Sequence, residues 1–288
     1  MKPYLLFPSG FKIIGFILLV PGFALAYLYF SQNYTLPPPT GRPLFGFYPQ
    51  ASYTFIDESA TTFIIIGLLF IAFSRLKNEQ GAVHKLRLKA LYWAVMVNCF
   101  WITLFWIGEF LNDVSNIHWV NFNMAWVTVI YNLFTLLLLF IARFYYLLYK
   151  HTKSKKNVIL WFLPYQPYNL IAKIGVGIYI LLLIATVFIK INDKYAPFMY
   201  LLPIFLLLWL ASWNKGRTNF TTVIRLKAMQ IAVYINYLLF IMATWIFYDI
   251  DYLVALFFGL LSLQTIFLAA FHIMLNRASK MEPLFEMI

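Results

Sequence analysis

The chain has 288 residues, of which 63% are hydrophobic and only 11% charged, with a net charge of +12. Its mean hydropathy is +0.78, and soluble domains average about 45–50% apolar and about 25% charged residues. A chain this apolar cannot cover itself with polar surface, which excludes soluble enzymes, nucleic-acid-binding domains and disordered proteins. The single Cys99 excludes an internal disulfide framework and a thiolate metal cluster within one chain.

Crossing the hydrocarbon core takes about 20 apolar residues in a helix. The sequence offers eight such runs, near 12–30, 59–75, 88–110, 120–146, 170–190, 196–213, 226–247 and 253–275. The second and sixth are short, and tilt or local thinning must accommodate them. None alternates apolar and polar residues as a barrel strand does. The expected fold is an all-α polytopic transmembrane bundle.

Lys and Arg are retained on the cytoplasmic side of a membrane. With the N-terminus inside, all of the 22 basic residues except Arg42, Lys190 and Lys194 fall in inner segments. Asp57, Glu58, Glu109, Asp113, Asp193, Asp249 and Asp251 fall outside. Both termini are therefore expected in the cytoplasm, and the positive charge is an orientation signal with affinity for anionic headgroups. It gives no reason to invoke nucleic acid. The start imitates a signal peptide, with Lys2, Lys12, an apolar stretch, Pro21-Gly22 and Ala24-Leu25-Ala26. Cleavage there would leave seven helices; retention is the expectation, because of an internal repeat.

Arg87-Leu88-Lys89-Ala90-Leu91-Tyr92-Trp93-Ala94-Val95-Met96-Val97-Asn98 recurs 138 residues later as Arg225-Leu226-Lys227-Ala228-Met229-Gln230-Ile231-Ala232-Val233-Tyr234-Ile235-Asn236, identical at seven of twelve positions. The same offset superposes Ser74 on Ser212 and Lys77 on Lys215. Lys12-Ile13-Ile14-Gly15 and Lys173-Ile174-Gly175 open spans one and five alike. The expected organisation is two parallel four-helix repeats, 1–150 and 151–288, related by an axis along the membrane normal. The first repeat carries an inserted outer loop, 31–58, rich in proline and aromatics. It is either a cover over the outer face or a lid in contact with a ligand.

These paired motifs, together with Asn132-Leu133-Phe134-Thr135 and Arg143-Phe144-Tyr145-Tyr146, resemble those of uncharacterised multi-pass membrane proteins of Bacteroidota. The resemblance implies a bacterial cytoplasmic membrane and brings no activity with it. Members of that group have acids before the Arg-Leu motif, where this chain has Gly81-Ala82-Val83-His84-Lys85.

Arg87, Leu91, Ala94 and Asn98 lie on one helical face, and Arg225, Met229, Ala232 and Asn236 repeat it. At about 1.5 Å per residue each Asn stands about 16 Å above its Arg, near mid-membrane. Asn98 and Asn236 form a candidate interior polar pair, read either as packing contacts between helices or as the lining of a solute path. Arg87, Lys89, Arg225 and Lys227 are candidate headgroup or partner contacts. A cation at a helix N-terminus opposes the macrodipole, costing about 0.3–1 kcal/mol, so something else must favour it there. Glu109 is a candidate acid near the outer interface. His84, His118, His151 and His272 are scattered, and no metal-binding or catalytic motif is present. No catalytic residue, cofactor or metal is expected.

The expected function is a non-enzymatic sensor or scaffold subunit, with a protein partner at the cytoplasmic face and a bilayer of anionic headgroups around it. The alternative is a small carrier or channel for an uncharged or lipophilic solute between the two repeats.

Overall fold

The structure is a computed structural model that describes residues 5–32, 56–77, 79, 81–115, 122–154, 160–189, 200–213, 219–247 and 249–285. Most of the loop 31–58 lies outside the described residues. Among the described residues eight helices follow one another: α1 (Phe11–Gln32), α2 (Ile56–Phe73), α3 (Gly81–Ser115), α4 (Phe122–Ser154), α5 (Tyr168–Ile189), α6 (Leu202–Ala211), α7 (Asn219–Ile246) and α8 (Asp249–Phe285). Seven of the described helices are long and apolar enough to cross a membrane. The chain is an all-α polytopic membrane protein.

Two differences from the expected runs have simple causes. Helices α3, α4 and α8 have 35, 33 and 37 residues, about 50 Å each and well beyond the hydrocarbon core of about 30 Å. Hydropathy falls at Lys85, Arg87, Arg143 and Arg277, but Lys and Arg are good helix formers, so the backbone winds on through the interfacial layer. In contrast, α6 has 10 residues, about 15 Å and half a crossing. It stops because Ser212 turns extended, with φ −81° and ψ 152°.

Contacts divide the chain into two compact units. The first takes Met1–Ala94, Tyr131–Asn157 and Tyr234–Leu260; the second takes Val95–Ile130, Val158–Val233 and Leu261–Ile288. Helices α3, α4, α7 and α8 thus each give one part to either unit.

In the first unit, α1 and α2 meet backbone to backbone. A methyl group on Gly15 would lie 2.7 Å from the carbonyl oxygen of Gly67, so only glycine permits this approach. Below that contact Phe7, Phe11 and Phe70 pack edge to face or stacked, and Phe73 packs on Phe140 and Tyr234. The unit is charge-polarised. Asp57 and Glu58 occupy the first turn of α2, the favourable end of its dipole. Lys12 lies over the ring of Tyr145 and Lys153 over that of Tyr149, towards the C-terminus of α4.

In the second unit, Gly175 of α5 receives the ring of Phe205 of α6. Trp209 is flanked by His272 and lies under Lys173, while the Phe162 ring lies tilted against Trp213 with centroids 4.2 Å apart.

Candidate functional site

The two recurring arginines are the best-defined polar centres, one in each unit. The last carbonyls of a helix have no partner inside it. Arg87, near the start of α3, reaches back to the end of α2. Its Nη1 donates to the Ala72 carbonyl oxygen at 2.6 Å and its Nη2 to that of Ser74 at 2.9 Å. The puzzle of a cation at a helix N-terminus is thereby resolved. Its positive charge sits on the negative end of the preceding helix dipole.

Glu79 completes this centre. Its Oε1 accepts from Arg87 Nε at 3.1 Å and its Oε2 from Arg87 Nη2 at 2.8 Å, a two-pronged ion pair. The same Oε2 accepts the Leu76 backbone N–H at 3.0 Å. The arginine and glutamate side chains are 2% and 0% exposed, and the Phe144 ring covers the guanidinium at 4.3 Å. Such a pair endures desolvation because its charges meet each other and backbone groups.

Arg225 repeats the backbone part near the start of α7. Its Nη1 donates to the Ser212 carbonyl oxygen at 2.8 Å and its Nη2 to that of Leu210, at the end of α6. Three rings face it, Phe162 at 4.9 Å and Phe267 and Phe271 each at 5.7 Å. A short extended segment braces each helix end as well. Phe7 donates to the Phe73 carbonyl and accepts from the Arg75 N–H, both at 3.0 Å. Leu163 does the same with Ala211 and Trp213, again at 3.0 Å. The second brace is also tied by Asn169 Nδ2, which donates to Ser212 Oγ at 2.9 Å.

The other sequence-selected residues are placed as follows. Lys89 and Lys227 are half-buried, unlike the two buried arginines with which they were grouped as headgroup contacts. Asn98 and Asn236 are 4% and 3% exposed and neither is without a partner. Asn98 belongs to the second unit and Asn236 to the first. Glu109 is half-buried in the last two turns of α3.

Sequence reasoning missed three features. Glu79 belongs to no motif, and nothing in its neighbours announces a partner eight residues on. Gln264 is fully buried in α8, near the Cys99 thiol. Glu58, expected at the outer surface, is 5% exposed, beside Asp57. Among the described residues no group of three His, Cys, Asp or Glu side chains is disposed to hold a metal ion.

Chemically, the arginine centres are clamps. A guanidinium is always protonated, so it neither takes nor gives a proton, and here each one is tied to two backbone oxygens. Compared with protein-family models, with curated proteins and with solved structures, the chain matches none.

Proposed function

We propose that the protein is an integral membrane subunit that senses or scaffolds, without catalysis, in company with a protein partner. The observation that supports this reading is the contrast between packed interiors and bare flanks. Asn98 and Gln264 in the second unit and Asn236 in the first are buried. In α1 and α5 only 11% and 17% of the apolar window is covered by the rest of the chain. Val20, Phe23 and Tyr27 of α1, and Ile178 and Leu181 of α5, stand exposed. Such flanks offer large apolar surface to lipid and to a partner helix.

We read the chain further as two tandem four-helix copies, 1–150 and 151–288, in a bacterial inner membrane with both ends cytoplasmic. The distribution of Lys and Arg supports the orientation. Matched burial supports the duplication: Ala90 and Ala228, Ala94 and Ala232, and Val95 and Val233 are all 0% exposed. The two clamps also lie under corresponding rings, Phe144 in Phe140-Ile141-Ala142-Arg143-Phe144 and Phe271 in Phe267-Leu268-Ala269-Ala270-Phe271.

A photoreactive side chain at Val20 or Ile178 tests the proposal in native membranes. The expected result is one protein adduct of defined mass at one or both positions. Crosslinks to lipid alone at both would overturn the subunit reading. Solute flux in proteoliposomes would then test the carrier.

A further inference from the structure

We propose that the flank of α3 and α4 at the basic end of the first unit binds one anionic phospholipid, whose phosphodiester is held by Arg143. This inference is independent of the subunit reading. The guanidinium carbon of Arg143 lies 4.6 Å from the centre of the Trp93 ring and 5.5 Å from that of Tyr146. The rings fix its place and favour its charge. They do not take up its five N–H donors, and its buried Nε has no hydrogen-bond partner. A planar fork of donors beside the membrane interface fits two oxygens of a phosphate.

The surroundings point the same way. Lys85, Lys89 and Trp93 follow at four-residue intervals on α3, hence on one face. Arg143, Tyr146 and Lys150 do so on α4 at spacings of three and four. Lys85, Trp93, Tyr146 and Lys150 are exposed and Lys89 is half-buried. Lys85 is close enough to Lys89 for their charges to repel. The acids of this unit are Asp57, Glu58, Glu79, Asp249 and Asp251. Glu79 is engaged by Arg87. Asp57 and Glu58 begin α2. Asp249 and Asp251 begin α8, beside Tyr252, which feels the charges of Asp57 and Glu58 at the acidic end. The flank therefore carries a surplus of positive charge that calls for an anion.

A lipid fits better than a soluble phosphate. Exposed Trp and Tyr rings flank the cation, as they do at headgroup depth. Leu138, five residues towards the middle of α4, is 52% exposed and gives an acyl chain its contact. The site is single. Where the first half has Trp93 and Arg143, the corresponding stretches of the second have Ile231 and Ala270.

The full chain in mild detergent is titrated with phosphatidylglycerol and with phosphatidylcholine of the same acyl chains, and bound lipids are counted by native mass spectrometry. The first phosphatidylglycerol should bind about tenfold tighter than phosphatidylcholine. Arg143→Gln should erase the preference, and Lys153→Gln, whose lysine lies over Tyr149 instead, should keep it. Equal binding of the two lipids, or an Arg143→Gln chain that keeps the preference, overturns the proposal. So does displacement of the lipid by millimolar inorganic phosphate, which would make the occupant a soluble anion. If Arg143→Gln does not fold, Lys85→Gln with Lys89→Gln serves instead. A weakened preference supports the site and an unchanged one overturns it.

Discussion

The clamps at Arg87 and Arg225 perform the same backbone task with different surroundings. Each guanidinium bonds two carbonyls at the end of the preceding short helix. At Arg87 the remaining donors meet Glu79 in a buried ion pair. In the second copy of the motif, the position that corresponds to Glu79 is Arg217, which lies outside the described residues. There the aromatic cover is deeper, three rings against one. The shared feature is thus helix capping at a distance, to which Glu79 is added at Arg87. An arginine can serve a helix end through its geometry and charge, while charge compensation is left to local circumstance.

The largest effect should come from breaking that difference. Arg87→Leu strips a fully buried Glu79 of its cation, and an uncompensated buried charge costs about 3–5 kcal/mol. Arg87→Leu and Arg225→Leu both remove hydrogen bonds from a charged donor to two carbonyls, each worth about 1.5–3 kcal/mol, and Arg87→Leu adds the cost at Glu79 to that shared loss. Both should lower the midpoint of thermal unfolding in detergent, Arg87→Leu more. Adding Glu79→Leu to Arg87→Leu should recover part of the loss, and adding it to Arg225→Leu should not. Equal losses from the two single variants would show that Glu79 contributes nothing beyond the shared cap.

Most of the helices were legible in the sequence, because long apolar runs dictate them in lipid. The arginines were legible as recurring features, but their task was not. Spacing places a side chain on a face of its own helix and says nothing about which neighbouring terminus a long, flexible arginine can reach. For the same reason Arg87 and Lys89, two residues apart, read as one basic motif although they have different fates. Helix α6 reads as a span from its apolar residues, yet the helix itself covers only Leu202–Ala211. The brace that Leu163 makes on its end comes from about 50 residues away in the sequence and is invisible to any window. The burial of Gln264 was equally hidden, since an amide in an apolar run can face either lipid or protein.

The partners of the clamped helices offer the next comparison. Gly15 and Gly67 bring two backbones together, and a methyl on Gly67 would lie 2.9 Å from the Gly15 carbonyl oxygen. At Gly175 the intruding atoms belong to the ring of Phe205, Cγ included, so the whole side chain would have to move. Replacing a helical glycine by alanine gains about 0.5–1 kcal/mol in backbone entropy. Overpacking costs about 1–3 kcal/mol where the neighbour cannot yield. Both Gly67→Ala and Gly175→Ala should therefore destabilise, Gly175→Ala less, because a side chain can be displaced where a backbone cannot. The check is the unfolding midpoint in the same detergent. A neutral Gly67→Ala would mean that α1 is free to shift away from α2.

The smallest expected effect concerns the asparagines, where the two halves are alike in sequence and in burial. Polar contacts between membrane helices average about 0.6 kcal/mol, because the unfolded chain in a membrane also finds partners. Asn98→Leu and Asn236→Leu should each express normally and lower the midpoint slightly and similarly. Unchanged melting in both would remove the packing account and return the pair to the solute-path reading. A large loss at one position alone would be informative too. Asn98 belongs to the unit of the Arg225 clamp and Asn236 to that of the Arg87 clamp. Unequal losses would therefore trace to the surroundings of each unit, since the motif itself is the same.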